Sequence, residues 1–502
     1  MRESGILMPV SSLPGPYGIG CFGKKAEKFV DFLAAAGQKI WQILPLSPTG
    51  YGDSPYQSCS AFAGNPYFID LDALKAEGLL TAAQLKAEPW GKDPLNVDYG
   101  TLYTSRYKIL RAAYAAWRRQ CAGQHGCAHY YPDAYYAFTL ENEGWLEDYA
   151  LYMALKTANG MKSWTQWPRE YRKREPQALE SFKAENEEEI GFWKFLQYEF
   201  SIQWKKLKAY ANANNVQILG DIPIYVSADS VDAWVGGPLF ELDADGGFAR
   251  VAGCPPDYFS AEGQLWGNPL YDWDEMKKDG FGWWRERMDH TLEMFDGVRI
   301  DHFRAIESYW SVASDETTAK NGKWVKGPGM DFVNAVKAGH EDKLIIAEDL
   351  GDITDEVRAL VEESGFPGMR IFQFGFLDGS DSIHMPHNYI RNSIAYSGTH
   401  DNNTLFGFLW ESTEDVRRRM LDYCGFPGGD WGGATPLLLR SIFASVSELA
   451  IIPVQDFLMY GSDTRLNTPG VAEGNWSYRV TKEQLLGADC GFFRSLNNIY
   501  KR

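Results

Sequence analysis

FDGVRIDHFRA, residues 295–305, reads as a short buried strand that carries a charged pair to its end. In a strand, side chains two positions apart share a face, so Arg299 and Asp301 point one way while Val298 and Ile300 pack behind them. Two later apolar runs also finish in carboxylates: IIAEDLG, residues 345–351, at Glu348, and YSGTHDNNT, residues 396–404, at Asp401. Taken singly, each acid also reads as half of a strand-end ion pair. Three in one chain point to a parallel barrel, whose C-terminal strand ends meet at a common mouth. Acids gathered there suit sugar chemistry. Cleaving a glycosidic bond takes one acid to protonate the leaving oxygen and a carboxylate on the other side of the ring.

Working outward, other strand-like runs alternate with helical patterns. Residues 24–36 carry apolar side chains at Ala26, Phe29, Val30, Leu33 and Ala36, a helical stripe stopped by Gly37. IWQILPL at 40–46 follows as a buried strand, and further strands are expected at 216–226, 298–303, 344–347, 369–374, 394–396 and 449–454, with 67–69 as a candidate eighth. Strands alternating with helices in this way predict an α/β protein, most economically a (β/α)8 barrel of the TIM type. All 502 residues are read as one catalytic barrel with insertions: a helical subdomain at about 101–211, a loop-rich subdomain at 230–282 and a candidate lid at 311–329.

Composition narrows the partners. With 67 acidic against 49 basic residues the net charge is -18, and no basic block stands out, so neither nucleic acid nor an anionic membrane is an expected partner. No apolar run reaches membrane-spanning length and the first residues lack a signal-peptide pattern, which predicts a cytoplasmic protein. The 7 cysteines are odd in number and scattered, which fits reduced thiols. Aromatic residues make up 15% of the chain, many beside Gly, Pro, Asp and Asn, where a sugar ring can stack on them.

Two patterns are set aside. Gly18, Gly20 and Gly23 match the dinucleotide fingerprint, but the turn-like SSLPGPY precedes them where a strand is required. Cys121, His125, Cys127 and His129 are crowded together, yet their spacing fits no standard zinc site. Catalysis is therefore expected to need neither metal nor cofactor.

Longer ordered stretches carry a resemblance. YGDSPYQSCSAFAGNPYFID (51–70), GDIPIYV (220–226), FDGVRIDHFR (295–304), IIAEDLG, SGTHDNNT (397–404), NTPG (467–470) and NWS (475–477) together resemble the 4-alpha-glucanotransferases, also called amylomaltases or disproportionating enzymes, within the alpha-amylase superfamily. The resemblance implies a retaining double displacement, with Asp301 as nucleophile, Glu348 as general acid/base and Asp401 as transition-state stabiliser. It further implies substrate contacts from Arg299, His400, Asp221, Tyr51, Tyr56, Asn402 and Asn467, and from Trp266 in a loop around the acceptor sites. Asp221 would match a structurally important acid after the third strand. Implied partners are maltose, maltooligosaccharides and linear alpha-glucans, with glucose as an acceptor; monomer and homodimer both remain open. The chain departs from typical alpha-amylases in reading Ile222-Pro223-Ile224 where they carry a histidine, and no C-terminal β-sandwich is expected. An alpha-glucan hydrolase and an inactive glucan-binding protein are the alternatives.

Overall fold

The computed structural model describes residues 2–125, 131–243, 247–256, 261–471 and 473–502, and the side chains of Tyr51, Gln124 and His125 fall outside that description. Twelve strands occur among the described residues: β1 (Glu3–Leu7), β2 (Ile40–Gln42), β3 (Gln217–Pro223), β4 (Arg250–Cys254), β5 (Gln264–Pro269) and β6 (Gly297–Asp301). The others are β7 (Ser308–Ala313), β8 (Lys323–Lys326), β9 (Leu344–Ala347), β10 (Gly368–Ile371), β11 (Ser393–Tyr396) and β12 (Leu449–Pro453). Eight of them close a parallel barrel in the order β1-β12-β11-β10-β9-β6-β3-β2.

Register decides what fills the barrel. In-register neighbours in a parallel sheet share a face, so the pairs Leu219↔Gly297 and Asp221↔Arg299 lie on the same side. Leu7, Ile40, Leu219, Ile346, Ile394 and Leu449 form one buried apolar cluster. Polar groups are set among them: Gln42, in register with Leu7 and Leu219, accepts a hydrogen bond from the Tyr396 hydroxyl at 2.9 Å, and Asp221 meets Arg299.

The eighth strand is β1 and not residues 67–69, which form a 3-10 turn, Pro66–Phe68. Turn chemistry prevails there: Pro66 fixes the backbone and the Asn65 side chain accepts from Tyr67 N at 3.0 Å. β1 is obscured in the sequence by Gly5 in mid-strand. Packing requires that glycine, because a Cβ would sit 2.5 Å from the Cβ of Ile40 across the β1–β2 pair. The run at 369–374 also stops early as a strand, with Phe372–Asp378 turning into helix.

Helices Tyr99–His125, Asp133–Glu141, Glu143–Ala158, Pro176–Glu185 and Glu187–Ala213 occupy the chain between β2 and β3. Residues 230–282 hold more regular structure than a loop. They contribute β4 and β5 to a second, antiparallel sheet of order β5-β4-β7-β8. Residues 311–329 supply the end of β7 and all of β8 to that sheet. Gly253 and Gly267 interrupt the alternation that would have marked β4 and β5. Gly20, in the fingerprint-like run, packs where a Cβ would fall 1.9 Å from the Val10 carbonyl oxygen. Cys127 and His129 lie outside the described residues. No described helix is long and apolar enough to cross a membrane.

Candidate active site

At the C-terminal end of the barrel, Arg299 is the organising cation. Its Nη1 donates to both oxygens of Asp221, at 2.9 and 2.8 Å, and its Nη2 lies 2.8 Å from Oδ1 of Asp301. Burial alone would lower the Arg299 pKa, but Asp221 and Asp301 raise it well above the ordinary value. A buried guanidinium is tolerable only with such partners. Asp301 remains accessible, with 28% of its side chain exposed.

Glu348 directly follows β9, and Ala347 pairs with Ile300, so Glu348 and Asp301 emerge from neighbouring strand ends. The backbone N–H groups of His302 and Leu350 donate to the two oxygens of Glu348, at 2.6 and 3.1 Å. Burial pushes its carboxyl well above the usual range; Arg299 and the His302 N–H oppose that rise, and Asp301 and Asp349 add to it. His302 itself sits in the left-handed region at φ 52°, and burial lowers its imidazole to about 4.

Asp401 sits in the loop after β11. Its Oδ1 accepts from Asn467 Nδ2 at 2.6 Å and its Oδ2 lies 3.3 Å from His400 Nε2. Burial favours the neutral carboxyl, but His400, Asn467 and Arg299 outweigh it and bring Asp401 down to about 2. His400 is raised in turn, Asp401 overcoming the opposing effect of burial. Tyr56 closes this side: its ring stacks on His400 with centroids 5.1 Å apart, and its hydroxyl donates to Asp221 at 3.0 Å. Neighbouring carboxyls are thus pushed in opposite directions, Glu348 toward the protonated form and Asp401 toward the charged one, as acid and anion roles require.

A family model described as 4-alpha-glucanotransferase matches residues 8–484. A 4-alpha-glucanotransferase of Streptococcus pneumoniae is 46% identical over 503 aligned residues, covering 100% of this chain and 97% of that protein. One from Clostridium butyricum is 44% identical, over 99% of this chain and 100% of its own. Among solved structures, an amylomaltase from Streptococcus agalactiae in complex with acarbose superposes with a TM-score of 0.94 at 40% identity, covering 100% of both chains. The chain belongs to the 4-alpha-glucanotransferase family.

Within that family frame, the sequence-derived residues gather unevenly. Asp221, Arg299, Asp301, Glu348, His400, Asp401, Asn467 and Tyr56 form one connected network. Asp221 lies within β3 and not after it. Asn402 turns to its own loop, its Oδ1 accepting from the backbone N and hydroxyl of Thr399 at 2.8 and 3.0 Å. Trp266 is on strand β5, and its ring meets His302 edge-on at 4.9 Å. The Tyr51 side chain lies outside the described residues. Three participants were not anticipated. Arg465 donates to the Asp401 carbonyl at 2.7 Å, Trp476 packs 5.8 Å from His400, and His302 holds Glu348. His302 and Trp476 had a signal, since His302 immediately follows Asp301 and Trp476 lies in the quoted stretch 475–477, whereas Arg465 had none. The protein is an enzyme of the 4-alpha-glucanotransferase type.

Proposed function

We propose that the enzyme transfers a segment of a 1,4-alpha-glucan to the 4-hydroxyl of glucose or another glucan by double displacement, using Asp301, Glu348 and Asp401. The observation that carries this reading is the contrast at neighbouring strand ends: a buried, proton-retaining Glu348 beside an Arg299-paired Asp301. Arg299 occupies Oδ1 of Asp301, which leaves Oδ2 to attack the anomeric carbon. Glu348 protonates the departing glycosidic oxygen as the C–O bond breaks, and a glycosyl ester forms on Asp301. The Glu348 carboxylate then takes the proton of the incoming 4-hydroxyl, whose oxygen displaces Asp301 and restores the starting anomeric configuration. Asp401, negatively charged and braced by Asn467 and His400, is suited to grip ring hydroxyls as the sugar distorts.

Maltose, maltooligosaccharides and linear alpha-glucans are the donors in this reading, and glucose is the smallest acceptor. Hydrolysis shares the first half-reaction and differs only in admitting water to the second. A cytoplasmic setting is also our reading, resting on scattered cysteines such as Cys21, Cys59 and Cys121, which stand as free thiols. Incubation with maltotriose and chromatography of the products tests the proposal. Glucose together with longer oligomers is expected, and Asp301→Asn is expected to lose turnover by orders of magnitude with its fold intact. Glucose and maltose alone would mark a hydrolase, and an unchanged substrate would mark a binding protein.

A further inference from the structure

A set of aromatic side chains lies beside the mouth, outside the network described above. The helix Leu405–Glu411 starts four residues after Asp401, capped by Thr404, whose hydroxyl accepts from Gly407 N at 3.0 Å. Phe406 and Trp410 occupy one face of it, with ring centroids 6.1 Å apart. Trp410 is 57% exposed, far from the usual fate of so large an apolar ring. Trp431, from a separate 3-10 turn, meets Trp410 edge-on at 5.3 Å.

The arrangement is fixed and not a loose collection. The Arg417 guanidinium lies 4.1 Å from the Trp431 ring centre, and it donates to the carbonyls of Leu409, Trp410 and Ser412 at 3.0, 2.8 and 2.6 Å. A cation stacked on one ring therefore locks the backbone that carries the other. The helix is also tied to the catalytic loop. Asn403, two residues beyond Asp401, donates to Glu411 Oε2 and Ser462 Oγ, both at 3.0 Å, and Ser462 bonds Glu411 as well.

We propose that Trp410, Trp431 and Phe406 form an accessory platform that binds the stretch of 1,4-alpha-glucan running out of the catalytic mouth. The inference rests on the glucan reading above. A polymeric donor must leave the mouth across the face of the barrel, and this is a rigid aromatic surface joined to the loop of Asp401. Sugar rings present C–H faces that stack on indole, and a neutral polyol is not repelled by a chain of net charge -18. Glu411, Glu414, Asp415 and Asp430, near the rings in sequence, are exposed.

Trp410→Ala tests it, with Trp410→Phe as the conservative control. The alanine variant should raise KM on long linear 1,4-glucan by about three- to tenfold, leave maltotriose kinetics unchanged, and migrate faster than wild type through a gel containing soluble amylose. The phenylalanine variant should recover most of the retardation. Retardation needs no turnover, so failure of the wild type on maltotriose would defeat the catalytic reading while the gel still judged the platform. Equal retardation of wild type and Trp410→Ala overturns the proposal. So does a parallel loss on maltotriose and long glucan, or a change in oligomeric state with glucan retention intact, which would assign the rings to a second copy of the chain.

Discussion

In the proposed mechanism Glu348 keeps a proton until the leaving oxygen needs it, and its surroundings favour the protonated carboxyl. Burial raises its pKa, and the opposing Arg299 is shared with Asp221 and Asp301. Glu348→Gln should cost at least about a hundredfold on maltotriose yet still form the glycosyl-enzyme from a glycosyl fluoride, whose leaving group needs no protonation. The basic limb of kcat/KM, which reports loss of the Glu348 proton, should disappear with that substrate; equal losses on both substrates would remove Glu348 from the role. Asp401 predicts a stability signature. Its carboxyl is a stronger acid in the folded state, about 2 against an ordinary 3.8, so its stabilisation is full above 3.8 and fades as pH falls toward 2. His400 behaves inversely, contributing fully below 6.5 and losing its contribution as pH rises through its higher folded value. Asp401→Asn should therefore lower the thermal midpoint most between about pH 4 and 6.5, with the deficit shrinking by pH 3. A deficit independent of pH would show that the pair carries no linkage. Arg299 and Asp301 were legible because one strand alternation aligns them. Arg465 was not, because its place beside Asp401 depends on two loops meeting 64 residues apart.

Strands supplied the rest of what the sequence disclosed. Continuous apolar runs such as Leu344–Ala347 and Leu449–Pro453 announce barrel strands because both faces are covered. β4, β5 and β8 escaped notice because they are short, glycine-broken or half exposed. That sheet borders the proposed acid/base. It carries Trp266 on β5 against His302, whose N–H holds Glu348, so an acceptor stacked on Trp266 would sit close to the group that deprotonates it. Trp266→Ala should lower the ratio of transfer to hydrolysis by about two- to tenfold, read as free glucose released per bond cleaved across acceptor concentrations. A wild-type ratio at every concentration would reduce Trp266 to a packing residue of its strand.

At the scale of the whole molecule, distant segments are stitched together at the barrel seam. β1 pairs along its length with β12, from Glu3↔Leu449 to Leu7↔Pro453, and β2 flanks its other side. Ser12 donates to the Tyr478 carbonyl and Arg479 to the carbonyls of Leu13 and Gly15, so the loop after β1 is braced by the chain beyond β12. The helical insertion between β2 and β3 and the second sheet around Trp266 are built into the same continuous chain. This seam sets a schedule for biosynthesis. At roughly 5–20 residues per second, the ribosome needs about 20–90 s to travel from the codon of Glu3 to that of Leu449. Throughout that interval one edge of β1 has no neighbour, and the barrel is an open, curling sheet. A chain stalled before its last strand would expose a row of unsatisfied peptide groups of the kind that seeds aggregation. The last strand to be translated is therefore the one that makes the earlier strands safe.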